Sequence, residues 1–274
     1  MIAAESRLVE VPGGFAVNTT LTKGAGAPVV FLHGPFGQEW SGFLDDLATH
    51  YRVYAPAHPG AAEPEDLHKL DSLWDLMLYY DDLFTTLQLD RVDLIGHSFG
   101  GMVAAEFAAT FPHRVRKLVL IDALGLWRDD APVSDHVMVP PETQVGLLYH
   151  DASKPEIAAK LSLPADPDEQ RAAIVHRFSS IASTSHFIWP IPERGLAKRL
   201  RRVRAETLVL WGKQDTLTPP VYAEEFAARI PGAQVQVIES AGHVPQVEQR
   251  EVVARRVLQF LASNGGKPNP GNGV

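Results

Sequence analysis

Residues 92–110 read VDLIGHSFGGMVAAEFAAT. A short apolar run, a glycine-punctuated turn and an alanine-rich stretch follow one another without a break. The run has the character of a strand covered on both faces, and the stretch after it that of a helix. A strand that passes straight into a helix needs a crossover, and crossovers build parallel sheets. The same alternation recurs along the chain. Val29–Leu32, Arg52–Ala55, Val92–Ile95, Leu118–Ile121, Thr207–Trp211 and Val235–Ile238 are short apolar runs without clean polar alternation. Ser6–Val11 and Phe15–Thr20 flank Pro12-Gly13-Gly14 and read as an opening hairpin. Helices are expected at Ser41–His50, Ser72–Leu87, Phe99–Phe111, Val221–Arg229 and Glu248–Ala262, with Ser72 and Asp75 forming a capping-box-like start. The fold class is therefore α/β: a mostly parallel eight-stranded sheet with helices on both faces.

One stretch breaks the rhythm. Residues 124–202 hold no convincing strand, and Pro132, Pro140, Pro141, Pro155, Pro164, Pro167, Pro190 and Pro192 separate short helical pieces. A segment of that length cannot be a simple loop in a compact domain. It is expected to be a helical lid inserted into a core made of residues 1–123 and 203–263. Residues 264–274, rich in Gly, Pro and Asn, have little to bury and are expected to form a flexible tail.

Composition removes several functions. The chain has no cysteine, which excludes disulfides, thiolate zinc sites, iron–sulfur clusters and a cysteine nucleophile. Its 25 Lys+Arg against 33 Asp+Glu give a formal charge of −8, a surface that repels phosphate backbones, so no nucleic-acid partner is expected. No signal peptide and no run of 18 apolar residues is visible, so no membrane insertion is expected and a cytoplasmic location is. A small-molecule substrate, no cofactor, no metal and a monomer or homodimer complete the expectation. His136, His150, His176 and His186 lie in the inserted segment without metal-ligand spacing.

Gly96-His97-Ser98-Phe99-Gly100 is a G-x-S-x-G turn between a strand and a helix, a nucleophile elbow in its required context. A serine needs a base. His243, in Ser240-Ala241-Gly242-His243-Val244-Pro245 after the last strand, sits where a parallel sheet places its site. Asp215, just after Thr207–Trp211, would orient the imidazole; Asp122, at the end of Leu118–Ile121, is a rival that more naturally anchors the start of the lid. The basic run Arg199, Arg201, Arg202 and Arg204 reads as a solvated helix face.

From about Val9 to Ala262 the chain resembles the α/β-hydrolase fold superfamily, in its serine-triad, esterase-like bacterial branch. The matching motifs are Leu32-His33-Gly34, Gly96–Gly101, Asp215 and Ala241-Gly242-His243. The segment Phe187–Gly195 resembles a broad bacterial branch of mostly unassigned hydrolases. The resemblance implies that Ser98, Asp215 and His243 are catalytic and that His33-Gly34-Pro35-Phe36-Gly37 is the oxyanion-hole loop. The residue after His-Gly usually donates there, but Pro35 has no N–H, so the Phe36 amide is expected to replace it beside that of Phe99. His33 and His58 read as structural braces, and His97 as a packing or hydrogen-bonding residue beneath the elbow. Phe178, Phe187, Ile188, Trp189 and Val244 are candidates for a substrate pocket, or simply pack the lid.

The fold does not choose the reaction. Dehalogenases and epoxide hydrolases of this fold carry an aspartate at the elbow, which Ser98 disfavours. The expected function is a carboxylic ester hydrolase acting through an acyl-enzyme on a small to medium apolar ester. One alternative is a carbon–carbon bond hydrolase of ring-cleavage diketones. Members of that kind typically have a tryptophan after the histidine and a Gly-rich oxyanion loop, where this chain has Val244 and Pro35-Phe36. Another is a non-catalytic ligand-binding protein on the same fold.

Overall fold

The computed structural model describes residues 3–61, 64–189 and 193–263. The expected tail at 264–274 and the motif residues Pro190, Ile191 and Pro192 lie outside these. One sheet holds β1 (Glu5–Val9), β2 (Asn18–Lys23), β3 (Pro28–Leu32), β4 (Arg52–Pro56), β5 (Val92–His97), β6 (Val115–Ile121), β7 (Glu206–Gly212) and β8 (Gln234–Ile238). Their spatial order is β1-β2-β4-β3-β5-β6-β7-β8. The β1–β2 and β2–β4 pairs are antiparallel and all the others parallel. The opening hairpin starts its second strand at Asn18, because Phe15 leaves the sheet to pack edge-on against Tyr79 at 5.8 Å.

Strand periodicity sorts the core into two layers. Val30 and Leu32 of β3, with Val209 and Trp211 of β7, face α2 (Leu73–Thr86), α3 (Phe99–Thr110) and α8 (Val221–Arg229). Val29, Phe31, Leu208 and Leu210 face α1 (Gly42–Ala48) and α10 (Arg250–Ala262). Ser72 caps α2: its hydroxyl accepts the Asp75 N–H at 3.3 Å and donates to the Asp75 carboxylate at 2.9 Å. The final helix breaks at Gln249, with Pro245 opening a separate turn, α9 (Pro245–Glu248).

Between β6 and β7 come α4 (Pro141–Leu148), α5 (Pro155–Leu161), α6 (Pro167–Ile188) and α7 (Leu196–Arg199). Short pieces were expected throughout, but α6 runs for 22 residues. Its proline opens the helix rather than interrupting it, at a position where no backbone N–H is missed. Asp166 caps it, accepting the Asp168 and Glu169 amides at 2.9 and 3.0 Å. No helix among the described residues is long and apolar enough to cross a membrane.

The basic run is not simply a solvated face. Arg199 grips buried Glu106 of α3 through two hydrogen bonds, at 2.6 and 2.7 Å, and Arg202 donates to the Ala109 carbonyl at 3.1 Å. Arg201 and Arg204 are exposed. The Glu106 pair ties the end of the insertion to the central helix. Removing one partner of a buried pair leaves an uncompensated charge. Because Arg199 itself is partly exposed, urea unfolding of Arg199→Met is expected to show a loss of about 1–3 kcal/mol. The double variant with Glu106→Gln should recover much of it, and equal stability in wild type and single variant would contradict this role.

Candidate active site

The elbow is a packing problem solved by glycine. A Cβ on Gly96 would lie 2.2 Å from the Gly100 carbonyl oxygen, and one on Gly100 would lie 2.2 Å from the Leu32 carbonyl oxygen. Without those atoms, α3 starts directly against the ends of β3 and β5. Ser98, held between them, takes φ +55°, a strained value for a residue with a side chain. Its N–H donates to the Ile121 carbonyl at 3.0 Å, which fixes the turn to the end of β6.

Three side chains meet there. His243 Nε2 lies 2.8 Å from Ser98 Oγ, and its Nδ1 lies 2.8 Å from Asp215 Oδ2. All three residues are buried. Asp215 Oδ1 accepts the Leu217 and Thr218 amides, both at 2.9 Å, and the Thr218 hydroxyl donates to Oδ2 at 2.5 Å. Burial pushes the Asp215 carboxyl up, but the interaction with His243 and the hydrogen bond from Thr218 hold it below its ordinary value. An anionic Asp215 demands a proton on His243 Nδ1, which leaves Nε2 free to accept from the serine. A close backbone approach brings the two loops together: a Cβ on Gly212 would sit 1.9 Å from the Gly242 carbonyl oxygen.

The His243 loop is held by groups that sequence reasoning missed. Buried Glu248 accepts the Gly242 amide at 2.6 Å through one oxygen, and the His150 and Asp151 amides at 2.8 and 3.1 Å through the other. The His243 amide donates to the Leu148 carbonyl at 2.9 Å. Glu248 read only as a helix opener, and nothing local marks it as a brace. Thr218 was also missed, although a threonine three residues after an aspartate is a common side-chain turn.

Asp122 does not anchor the insertion. Its Oδ1 accepts the Gly212 amide at 2.9 Å, and it stands against Asp215. Asp122, Asp215 and His243 form the one grouping of potential metal ligands found among the described residues, with ligand atoms within 4.8 Å of one another. The Asp215 and His243 atoms are already engaged in the hydrogen bonds above.

The neighbouring histidines are neutral braces. His58 Nε2 donates to the His33 carbonyl at 2.7 Å, and the His58 amide donates to His33 Nε2 at 3.1 Å. His97 Nε2 donates to the His243 carbonyl at 2.7 Å. Burial pulls His33 down to about 4 and His97 to about 3, and takes His58 well below its usual value. His136 of the insertion, its ring 6.3 Å from that of Phe36, is likewise lowered by burial to about 4.

A cavity of about 530 Å³ reaches His97, the neighbour of Ser98, although neither Ser98 nor His243 is among its lining residues. Gly34, Phe36, His97 and Val244 line its floor, and Lys160, His176 and Arg177 stand on the wall given by the insertion. Lys160 is paired with Glu39. Arg177 stacks over the Phe36 ring at 5.3 Å and donates to Gln144 Oε1 at 2.7 Å, with no carboxylate partner among the described residues. Of the expected pocket residues, only Val244 lines this cavity. Phe178 is 63% exposed and Trp189 44%. Phe187 stacks on Phe99 at 6.3 Å, and Ile188 is buried near Met102 and Leu124. The reason is helical rotation: Ala172, Ala173, His176 and Arg177 form one face of α6, and Phe178 stands a further 100° or so round the helix. Among the described residues, the Phe36 and Phe99 amides meet no acceptor in the protein, as donors for an oxyanion must not.

A family model described as "alpha/beta hydrolase fold" matches residues 27–249. The chain is 30% identical over 275 residues to a 2-hydroxy-6-oxo-2,4-heptadienoate hydrolase of Pseudomonas putida, covering 96% of this chain and 98% of that protein. It superposes on a meta-cleavage product hydrolase of Pseudomonas fluorescens IP01 with a TM-score of 0.73 and 21% identity, covering 93% of this chain and 97% of the other. A carboxylesterase of Bacillus subtilis gives a TM-score of 0.72 and 21% identity over 97% and 93%. At that identity the two structures speak for the fold alone.

The four lowered histidines set an acid limit to stability. An unfolded chain binds their protons below pH about 6.5, whereas the folded protein refuses them until near pH 4 at His33 and His136 and near pH 3 at His97, with His58 also lowered well below its usual value. Stability from these groups is therefore complete above about pH 6.5 and drains as pH falls toward 4. Calorimetric scans should show Tm falling steadily across that window; a flat Tm would mean that the rings are solvated.

Proposed function

The chain belongs to the α/β-hydrolase fold family, and within it we propose that the protein is a serine hydrolase cleaving the carbon–carbon bond of a 2-hydroxy-6-oxo-dienoate, a ring-cleavage diketone in its enol form. The observation that carries this reading is Arg177. A guanidinium with no carboxylate partner among the described residues, on the wall of a cavity that reaches the neighbour of the serine, suits a substrate with a carboxylate at one end and a ketone at the other. A neutral apolar ester has no use for it. The near-full-length relative named for such a dienoate supports the same choice. Together these reverse the order expected from Val244 and Pro35-Phe36.

The chemistry follows from the leaving group. The C5–C6 bond cannot break to a vinyl carbanion, so the enol proton must first move from the 2-hydroxyl to C5, giving a 2,6-diketone. His243 then takes the Ser98 proton while Oγ attacks C6. The Phe99 and Phe36 amides receive the oxyanion, helped by the N-terminus of α3. The C5–C6 bond breaks, its electron pair is delocalised onto the 2-oxygen as a dienolate, and His243 returns the proton. Water activated by His243 releases the acyl group from Ser98. The sum is substrate plus water to a carboxylic acid and a 2-hydroxydienoate.

Ester hydrolysis remains the second reading, favoured by the residues at 35 and 244. Steady-state rates on a 2-hydroxy-6-oxo-dienoate and on p-nitrophenyl butyrate separate them. The dienoate is expected to have the higher kcat/KM, and Ser98→Ala to lose on the order of 10³-fold or more on both. Arg177→Gln should raise KM for the dienoate about 10–100-fold, the range of a charge-assisted hydrogen bond, while leaving the neutral ester nearly unaffected. Faster turnover of the ester, with no effect of Arg177→Gln on either, would hand the assignment to an esterase.

A further inference from the structure

We infer that Asp122 is a positioning residue that bears a proton and donates it in a hydrogen bond to the Asp215 carboxylate, so that the catalytic relay has four members rather than three. This rests on the serine-hydrolase reading but not on the choice between dienoate and ester.

The geometry leaves few alternatives. Asp122 is wholly buried at the carboxyl end of β6, in the left-handed region at φ +44°, with its backbone N–H donating to the Leu210 carbonyl at 3.0 Å. An aspartate tolerates that conformation, but nothing in the turn rewards it locally. Its Oδ1 takes the Gly212 amide. Its Oδ2 is buried and meets no donor among the described residues. The groups that face it are Asp215 and His243, with Glu248 at longer range, and no cation is among them.

Two carboxylates cannot both stay ionised at such range in a buried site. Asp215 is the one that stays charged, since two amides, a hydroxyl and the imidazole stabilise its charge. Asp122 has one amide, and burial and the Asp215 charge push its carboxyl well above the ordinary range. Among the described residues, the carboxylate that faces a protonated Asp122 is that of Asp215. The contact spreads part of the Asp215 charge onto Asp122 and holds that carboxylate square to His243. It also explains a buried oxygen that is otherwise without a partner.

The test uses full-length protein and a fluorophosphonate probe. Ser98 Oγ forms a bond to phosphorus, fluoride leaves and His243 accepts the serine proton, so the rate reports the relay whatever the natural substrate. Asp122→Leu removes the donor. An Asp215 without it holds the imidazolium longer, so the acid limb of the labelling rate should move to higher pH by on the order of one unit. Asp122→Asn keeps a donor toward Asp215 and an acceptor for Gly212, and should restore the limb to its wild-type position. A role confined to anchoring Gly212 would lower the plateau in Asp122→Leu and leave the limb in place, which overturns the inference. Infrared spectra give a second arm: wild type should show a protonated-carboxyl C=O stretch at neutral pH that Asp122→Asn lacks. Absence of that band in wild type overturns the inference too. If wild-type Ser98 is not labelled at all, the serine-hydrolase reading fails, and the infrared band alone still decides whether Asp122 carries a proton.

Discussion

The closeness of α3 to the sheet governs this structure. The helix is buried along nearly its whole length, and its first turn rests on the Leu32 and Gly96 backbone with room for hydrogen atoms only. That proximity lifts Ser98 out of the sheet, leaves the Phe99 amide without an acceptor among the described residues and leaves Glu106 buried where a cation must follow it. Arg199 answers that demand, so the path of the chain into β7 is coupled to the same helix that presents the serine. A looser helix would lose the posture of Ser98 and the anchor of the insertion together.

Around that point the protein uses polar groups to determine tautomers. His58 and His97 each donate to a backbone carbonyl, which fixes which nitrogen carries the proton. Asp215 does the same for His243. The His58 and His97 rings are then locked in one neutral state, and the surrounding low dielectric penalises any change. Pre-organisation of this kind would leave little to rearrange during the proposed reaction.

Much of this was legible in the sequence, for reasons that differ by residue. The strand–turn–helix about Ser98 is local, and its glycines can be read without a structure. Asp215 and His243 each follow a recognisable strand, so chain order was enough to single them out, and the structure brings their side chains into contact. Contacts across long separations left no such trace: Glu106 with Arg199, Asp122 with Gly212, Glu248 with residues 150 and 151. The insertion was hardest. Pro167 looks like a breaker and acts as a helix start, and whether Arg177 or Phe178 faces the cavity is decided by one residue of helical phase. Both are plausible pocket residues by type; only the seating of α6 chooses between them.

The Glu248 carboxylate has an implication for how such proteins diversify. One oxygen holds the loop of His243 and the other holds the backbone of the insertion, so the two share a single hinge pin. An insertion grafted from another member of the family would have to bring two inward-pointing amides to the same spot, or else loosen the histidine. Specificity in this chain is therefore not a detachable module. Any change of substrate that requires a new roof has to negotiate with the loop of His243, the proposed base, and single-residue changes on the cavity face of α6 are the easier route.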